Sequence, residues 1–348
     1  MLSTRPARQK WKTVNSNLGN RQPMKVGVIG TGSMGQNHVR VLSEISNLVG
    51  VCDTNPEAGE KIASKFKTKY FSNVKDLLAA GVDAVSIVTP TMAHHSIAKT
   101  VIEAGVDLLL EKPATGASDK LQELSKMAEQ KGVTFAVGFI ERHNPAVSFA
   151  MKNLSSGSFG SLISAHSRRV SSFPSRIKDV GVIMDLGVHD IDILKYLSGA
   201  PAKSVYATAG KFKNKDFEDH ANIIIEFDNG VTGVVEVNWL TPTKVRTLSM
   251  TCSSQFVEFD YTSQSINICS ATLREYDPAN LFDLGLEHQT RSINLKKEEP
   301  LRRELQDFLK AAENGSAPLV TGYDATETIR IAEAAIKSAR SHSVVSLH

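Results

Sequence analysis

Between residues 24 and 139, short apolar runs alternate with stretches whose apolar residues recur every three or four positions. The runs at 26–30, 48–52, 84–88, 106–110 and 133–138 are rich in Val, Ile and Leu, with a shorter one at 69–71. Such runs suit strands buried on both faces. The segments 34–46, 56–66, 74–80, 94–104 and 118–131 read as helices, with Ser118 as an N-cap candidate for the last. Strand and helix alternating at this spacing predict an α/β unit, a doubly wound parallel sheet covered on both faces.

After Asn144 the pattern changes to β-forming runs near 161–170, 203–213, 217–227, 231–240, 243–252 and 255–260. Asp228-Asn229-Gly230 is a hairpin signal. In 231–240, Val231, Val235, Val237 and Trp239 share one face, while Thr232, Glu236 and Asn238 share the other with apolar Val234. That alternation predicts a sheet with one covered face. Helices are expected at 145–155, 182–198, 300–314 and 324–340. The second unit is thus an α+β domain with a large open, mostly antiparallel sheet. Its uncovered apolar face is a candidate surface for a homodimer or homotetramer. The domain limits read from the sequence are a basic, disordered extension at 1–23, a nucleotide-binding domain at 24–143 and a substrate and oligomerisation domain at 144–342. The last helix is placed to fold back on the first domain.

The length of 348 residues agrees with two domains, and 41% hydrophobic with 22% charged residues is ordinary for a globular protein. No apolar run approaches the roughly 20 residues of a membrane span. Cys52, Cys252 and Cys269 are odd in number and far apart. They suggest neither a disulfide framework nor a metal site, and fit free thiols in the cytoplasm. Residues 1–23 hold Arg5, Arg8, Lys10, Lys12 and Arg21 and no acid, which leaves the rest of the chain slightly negative although the total is +3. That balance argues against a nucleic-acid partner. The leader lacks the apolar core of a secretory signal; its composition also suits an organelle transit peptide, the alternative to a disordered extension.

The first apolar run breaks into Gly30-Thr31-Gly32-Ser33-Met34-Gly35 and then a helix, the GxGxxG turn of a Rossmann dinucleotide site. Its glycines allow a tight turn, close approach to a pyrophosphate and close strand–helix packing. Asp53 ends the second run, where a carboxylate can accept both adenosine ribose hydroxyls. Its charge disfavours a 2′-phosphate, and Thr54-Asn55-Pro56-Glu57 supplies no arginine, so the expected cofactor is NAD.

Two other features carry chemistry. Lys112 follows the run 106–110, at the carboxyl end of a parallel strand where ligands bind. Asp185 and His189 lie four residues apart in an apolar helical segment, so the carboxylate can orient the imidazole. Together the glycine turn, Thr89-Pro90 with His94, Glu111-Lys112-Pro113 and the Gly181, Asp185, His189 spacing resemble the glucose–fructose oxidoreductase, inositol dehydrogenase and rhizopine-catabolism (Gfo/Idh/MocA) family, over residues 24–342. The resemblance implies that Lys112, Asp185 and His189 are the catalytic lysine, aspartate and histidine. It also implies that Thr89, Pro90, His94, Glu111 and Lys112 join the glycine turn and Asp53 around the cofactor. Oxidising a secondary alcohol needs a proton acceptor and a hydride acceptor. His189 fits the base and Lys112 stabilises the alkoxide, or the two exchange roles.

The segments 137–147 and 168–180 are similar to the UDP-N-acetylglucosamine 3-dehydrogenases within the family. That similarity implies oxidation of the sugar C3 hydroxyl, which a partner aminotransferase could follow. Arg142, Asn144, Arg169 and Arg176 are then candidate substrate contacts beside His189, because arginine forks suit phosphate oxygens. His143 departs from the aromatic residue more usual there. The competing readings are an inositol or free-sugar dehydrogenase, NAD-dependent glycoside cleavage and a non-catalytic NAD-binding sensor.

Overall fold

A computed structural model describes residues 22–174, 180–273, 279 and 286–347. The leader expectation and Arg176 therefore lie outside the described residues. The chain divides into two compact units, Met1–Thr115 with Lys120–Gly138 and Leu301–Tyr323, and Gly116–Asp119 with Phe139–Pro300 and Asp324–His348.

The first unit holds six parallel strands, β1 (Lys25–Ile29), β2 (Asn47–Cys52), β3 (Lys69–Phe71), β4 (Ala84–Ile87), β5 (Asp107–Glu111) and β6 (Phe135–Gly138). Their order, 3-2-1-4-5-6, is the doubly wound nucleotide-binding order. The connecting helices are α1 (Ser33–Ile45), α2 (Pro56–Lys65), α3 (Val74–Ala79), α4 (Thr91–Glu103) and α5 (Ser118–Lys131). Val26, Val28, Val85, Ile87, Leu108, Leu109 and Leu110 are wholly buried, as central parallel strands require. The Ser118 hydroxyl and N–H both donate to Glu333.

The second unit begins at Phe139, earlier than the sequence boundary at 143, because a 3-10 turn, Ile140–His143, buries Glu141, Arg142 and His143. It continues through α6 (Pro145–Ser155), β7 (Leu162–Val170), a π turn at Ile183–Gly187, and α7 (Val188–Ser198). The strands β8 (Ala202–Gly210), β9 (His220–Phe227), β10 (Thr232–Asn238), β11 (Val245–Cys252), β12 (Phe256–Asp260), β13 (Ser265–Leu273) and β14 (Leu286–Asn294) follow. After α8 (Pro300–Asn314) come α9 (Gly322–Ser341) and β15 (Val345–Ser346). The nine strands β7 to β15 form one sheet, antiparallel except for the β7–β10 pair. Strands β13 and β14 were not expected from the sequence. Helix α8 belongs to the first unit from Leu301 onward, and the first residues of α9, through Tyr323, belong to it too. The apolar stripe of α8, Leu301, Leu305, Phe308 and Leu309, is buried, and Val320 beyond it accepts the Val137 N–H of β6.

One face of the nine-stranded sheet is covered by α7, which packs on β7 and β10. Across the other runs a row in register: Tyr206, Ile224, Val234, His166, Ser249, Glu258, Asn267 and Ser292. Its first three members are apolar, and Tyr206 and Ile224 are exposed. No described helix is long and apolar enough to cross a membrane.

Candidate active site

The glycine turn meets the physical demands of a dinucleotide cradle. Gly30 has φ +99°, and a Cβ there would strike the Val88 carbonyl. A Cβ on Gly35 would strike the Gly30 carbonyl, so strand and helix could not close up. A Cβ on Gly32 would meet nothing, so its backbone faces open space. No side chain caps the start of α1 and no acid stands in its first turn, which leaves its N–H groups to an anion. The buried Thr89 hydroxyl, at the carboxyl end of β4, has no hydrogen-bond partner among the described residues. These features fit a bound dinucleotide.

Asp53 stands at the end of β2. Its Oδ2 accepts the Thr31 N–H at 2.7 Å and the Thr31 hydroxyl at 2.6 Å, and its Oδ1 accepts the Asn55 N–H at 2.9 Å. Burial opposes its ionisation, but the bonds from Thr31, Asn55 and Thr54 prevail and hold the carboxyl below its ordinary value. Asp53 is therefore a carboxylate at neutral pH. Asp53→Asn should reduce the preference for NAD over NADP by about tenfold or more, read as the ratio of kcat/KM. A wild-type enzyme already faster with NADP would contradict this account of cofactor choice.

The other residues expected around the cofactor divide. Pro90 precedes α4 and is exposed. His94 is 1% exposed, with Nδ1 2.6 Å from the Ala114 carbonyl and Nε2 2.7 Å from the Thr89 carbonyl. Glu111 is also buried, with Oε1 3.0 Å from His38 Nε2 and Oε2 accepting the Lys112 N–H at 3.0 Å. Both side chains hydrogen-bond to partners within the first unit. Lys112 is half-buried and its bond to Pro113 is cis. His38, Glu111 and Glu304 also offer atoms within 4.8 Å of one another, the one group among the described residues with metal-ligand spacing.

In the second unit, Asp185 and His189 do not share one uninterrupted α-helix. Asp185 lies in the π turn, where the Val188 N–H reaches back five residues to the Ile183 carbonyl, and His189 opens α7. Such turns concentrate at functional sites. Gly181 permits the turn: a Cβ would collide with the Glu218 carboxylate, which accepts the Ile183 N–H at 3.3 Å. Asp185 is 7% exposed; His189 is half-buried, its ring edge-to-face with Phe139 at 6.3 Å.

The residues expected to contact substrate are placed differently from the expectation. Arg142 is 3% exposed and forks onto Asp192, Nε to Oδ2 at 2.7 Å and Nη2 to Oδ1 at 2.6 Å. Arg169 is 2% exposed; Nε donates to Asp190 at 2.6 Å and Nη1 to Glu141 at 2.8 Å, and its guanidinium lies over Tyr261. Burial disfavours both cations, but Asp192 and Asp190 outweigh it and hold both guanidiniums above their ordinary value. Asn144 caps α6 and donates to Glu141 and the Tyr261 carbonyl. These three residues brace the turns around His189 instead of presenting free donors.

The sequence reading missed the acids that answer those arginines. Asp190 and Asp192 follow the histidine on α7 and are wholly buried. It also missed Arg246, opposite Arg169 in the β7–β11 pair, with Lys244 two residues before it. Burial and the Arg169 charge hold Arg246 below its ordinary value, and Arg246 does the same to Lys244. An anion would relieve that repulsion.

A family model described as an oxidoreductase family with an NAD-binding Rossmann fold, GFO/IDH/MocA, matches residues 24–139, and the GFO/IDH/MocA C-terminal domain matches 149–257. The chain is 31% identical to UDP-N-acetylglucosamine 3-dehydrogenase of Acidithiobacillus ferrooxidans over 83% of its own length and 88% of that protein. It is 29% identical to scyllo-inositol 2-dehydrogenase (NAD(+)) of Bacillus subtilis, covering 93% and 96%. A solved structure of the Acidithiobacillus enzyme superposes with a TM-score of 0.82 at 29% identity, over 91% of this chain and 98% of that one.

Proposed function

The chain belongs to the GFO/IDH/MocA family of NAD-binding oxidoreductases, and we propose that it oxidises the C3 hydroxyl of UDP-N-acetylglucosamine to a ketone. The observation that carries the substrate choice is the 31% identity to an enzyme of that name, spread over most of both chains. The crowded cations Arg246 and Lys244 favour a substrate that brings negative charge. The match to an inositol dehydrogenase supports the second reading, a polyol as substrate.

When bound, NAD supplies the hydride acceptor. Oxidation releases the hydroxyl proton, and we assign its removal to His189, whose imidazole works near neutral pH. Lys112 hydrogen-bonds the developing alkoxide, which is worth most away from bulk water. Asp185, buried one turn before the histidine, holds the geometry. We further propose that two or four copies associate through the row that begins at Tyr206 and Ile224, and that an aminotransferase consumes the keto product. The three cysteines are free, and burial with the Asp53 charge pushes the Cys52 thiol up to about 11, which suits a reducing cytoplasm.

Purified protein should reduce NAD with UDP-N-acetylglucosamine at a kcat/KM at least about tenfold above free N-acetylglucosamine or myo-inositol. Faster turnover of myo-inositol would transfer the assignment to the polyol reading. Sugar release without net NADH would indicate glycoside cleavage, and no turnover with any sugar would leave an NAD-binding sensor.

A further inference from the structure

The turn that carries Lys112 is gripped from both ends. On the strand side, the Glu111 carboxylate accepts the Lys112 N–H at 3.0 Å and is itself met by His38 Nε2 at 3.0 Å. A carboxylate only accepts, so His38 donates from Nε2, and its Nδ1 lies 2.8 Å from Ser86 Oγ. On the far side, the wholly buried Ala114 has φ +41°, a left-handed conformation that residues bearing a Cβ seldom hold unaided. Its N–H donates to the Glu111 carbonyl at 3.1 Å.

His94 grips the Ala114 carbonyl. Its Nδ1 is 2.6 Å from that oxygen, and its Nε2 is 2.7 Å from the Thr89 carbonyl. Carbonyl oxygens only accept, so two hydrogen bonds require a proton on each ring nitrogen. A neutral imidazole carries one N–H, and its other nitrogen would press a lone pair against an oxygen lone pair. At 1% exposure, solvent does not soften that repulsion. A cation in the first turn of α4 meets the unfavourable end of the helix dipole. Burial also strips the cation of its hydration, and two charge-assisted hydrogen bonds, each about twice the strength of a neutral one, work against both costs.

We propose that His94 is an imidazolium and a positioning residue for Lys112. The charged ring fastens the Ala114 end of the lysine turn to the Thr89 loop, so the backbone that carries the ammonium cannot swing. The proposal rests on the role assigned to Lys112 above. Its physical content is that a histidine with no access to substrate controls the chemical step through the backbone.

Neutron diffraction from crystals of the full chain, exchanged into heavy water at pH 8, should show deuterium on both ring nitrogens of His94. Deuterium on one nitrogen alone would overturn the proposal. His94→Gln, which cannot donate along both directions, should lower kcat by about ten- to a hundredfold, the scale of a small misplacement of a reacting group. The dissociation constant for NAD should stay within about threefold, and a crystal structure of the variant should show the 112–114 backbone displaced. Unchanged kcat in a folded variant would reject the positioning role even with both deuterons present. A wild-type chain inactive toward every sugar would refute the dehydrogenase reading alone, since the deuteron count and the variant's backbone decide the clamp without turnover.

Discussion

His189→Ala and Lys112→Ala are each expected to lower kcat by roughly a hundredfold or more, about 2.7 kcal/mol of transition-state stabilisation. The histidine variant loses the proton acceptor, and the lysine variant leaves the alkoxide without its donor. His189 is not among the residues assigned to the cofactor, so in the histidine variant the dissociation constant for NAD should stay near the wild-type value. The double variant separates one shared step from two independent contributions. If both groups serve the same proton transfer, it should be about as slow as the slower single variant rather than reaching the product of the two losses. Near-wild-type turnover in either single variant would remove that residue from the chemistry, and multiplicative losses would assign the two groups to different steps.

The first unit was almost fully legible in the sequence because its strands are buried on both faces and its turn has strict steric demands. Leu108, Leu109 and Leu110 have no solvent side, so they read as an unbroken apolar run, and Gly30 and Gly35 occupy places where a Cβ meets backbone. Where a sheet is open on one side the signal weakens. Strand β14 is nearly all exposed, and β13 shows only Ile266 and Ile268 to the interior, so neither stood out among Ser, Thr and Asn. The π turn at Asp185 leaves no trace in apolar spacing, since it inserts a single wider step into a helix that remains buried on both sides. The candidate residues were chosen by type and order, which say nothing of their surroundings. His94 and Glu111 could be read only as neighbours of the cofactor motif, because the carbonyl oxygens and the His38 ring that hold them come from other turns of the chain. The partners of Arg142 and Arg169 were hidden for the same reason. Arg169, in a segment rich in Arg and poor in acid, looks free until the fold brings Asp190 to it, as it brings Asp192 to Arg142.

Arg169→Ala is accordingly expected to act on stability more than on substrate affinity. The guanidinium is 2% exposed, and its partner Asp190 is wholly buried, with Ser167 as its other donor at 2.5 Å. Removing the cation strands a carboxylate in the interior, which costs about 3–5 kcal/mol in comparable buried pairs. Glu141 loses its bond to Nη1 as well, and the nearest other guanidinium, Arg246, stands 3.7 Å away. For a chain of this size that loss corresponds to a fall of roughly 4–7 °C in the thermal midpoint. Arg169→Lys should recover only part of it, because an ammonium cannot serve Asp190 and Glu141 with the same planar fork. Asp190→Ala should be comparably damaging, and the Arg169, Asp190 double replacement should cost less than the sum, the mark of a coupled pair. The opposite pattern, an Arg169→Ala protein with an unchanged midpoint and a KM for nucleotide sugar raised tenfold, would return this arginine to the substrate and leave α7 to be held by its apolar face alone.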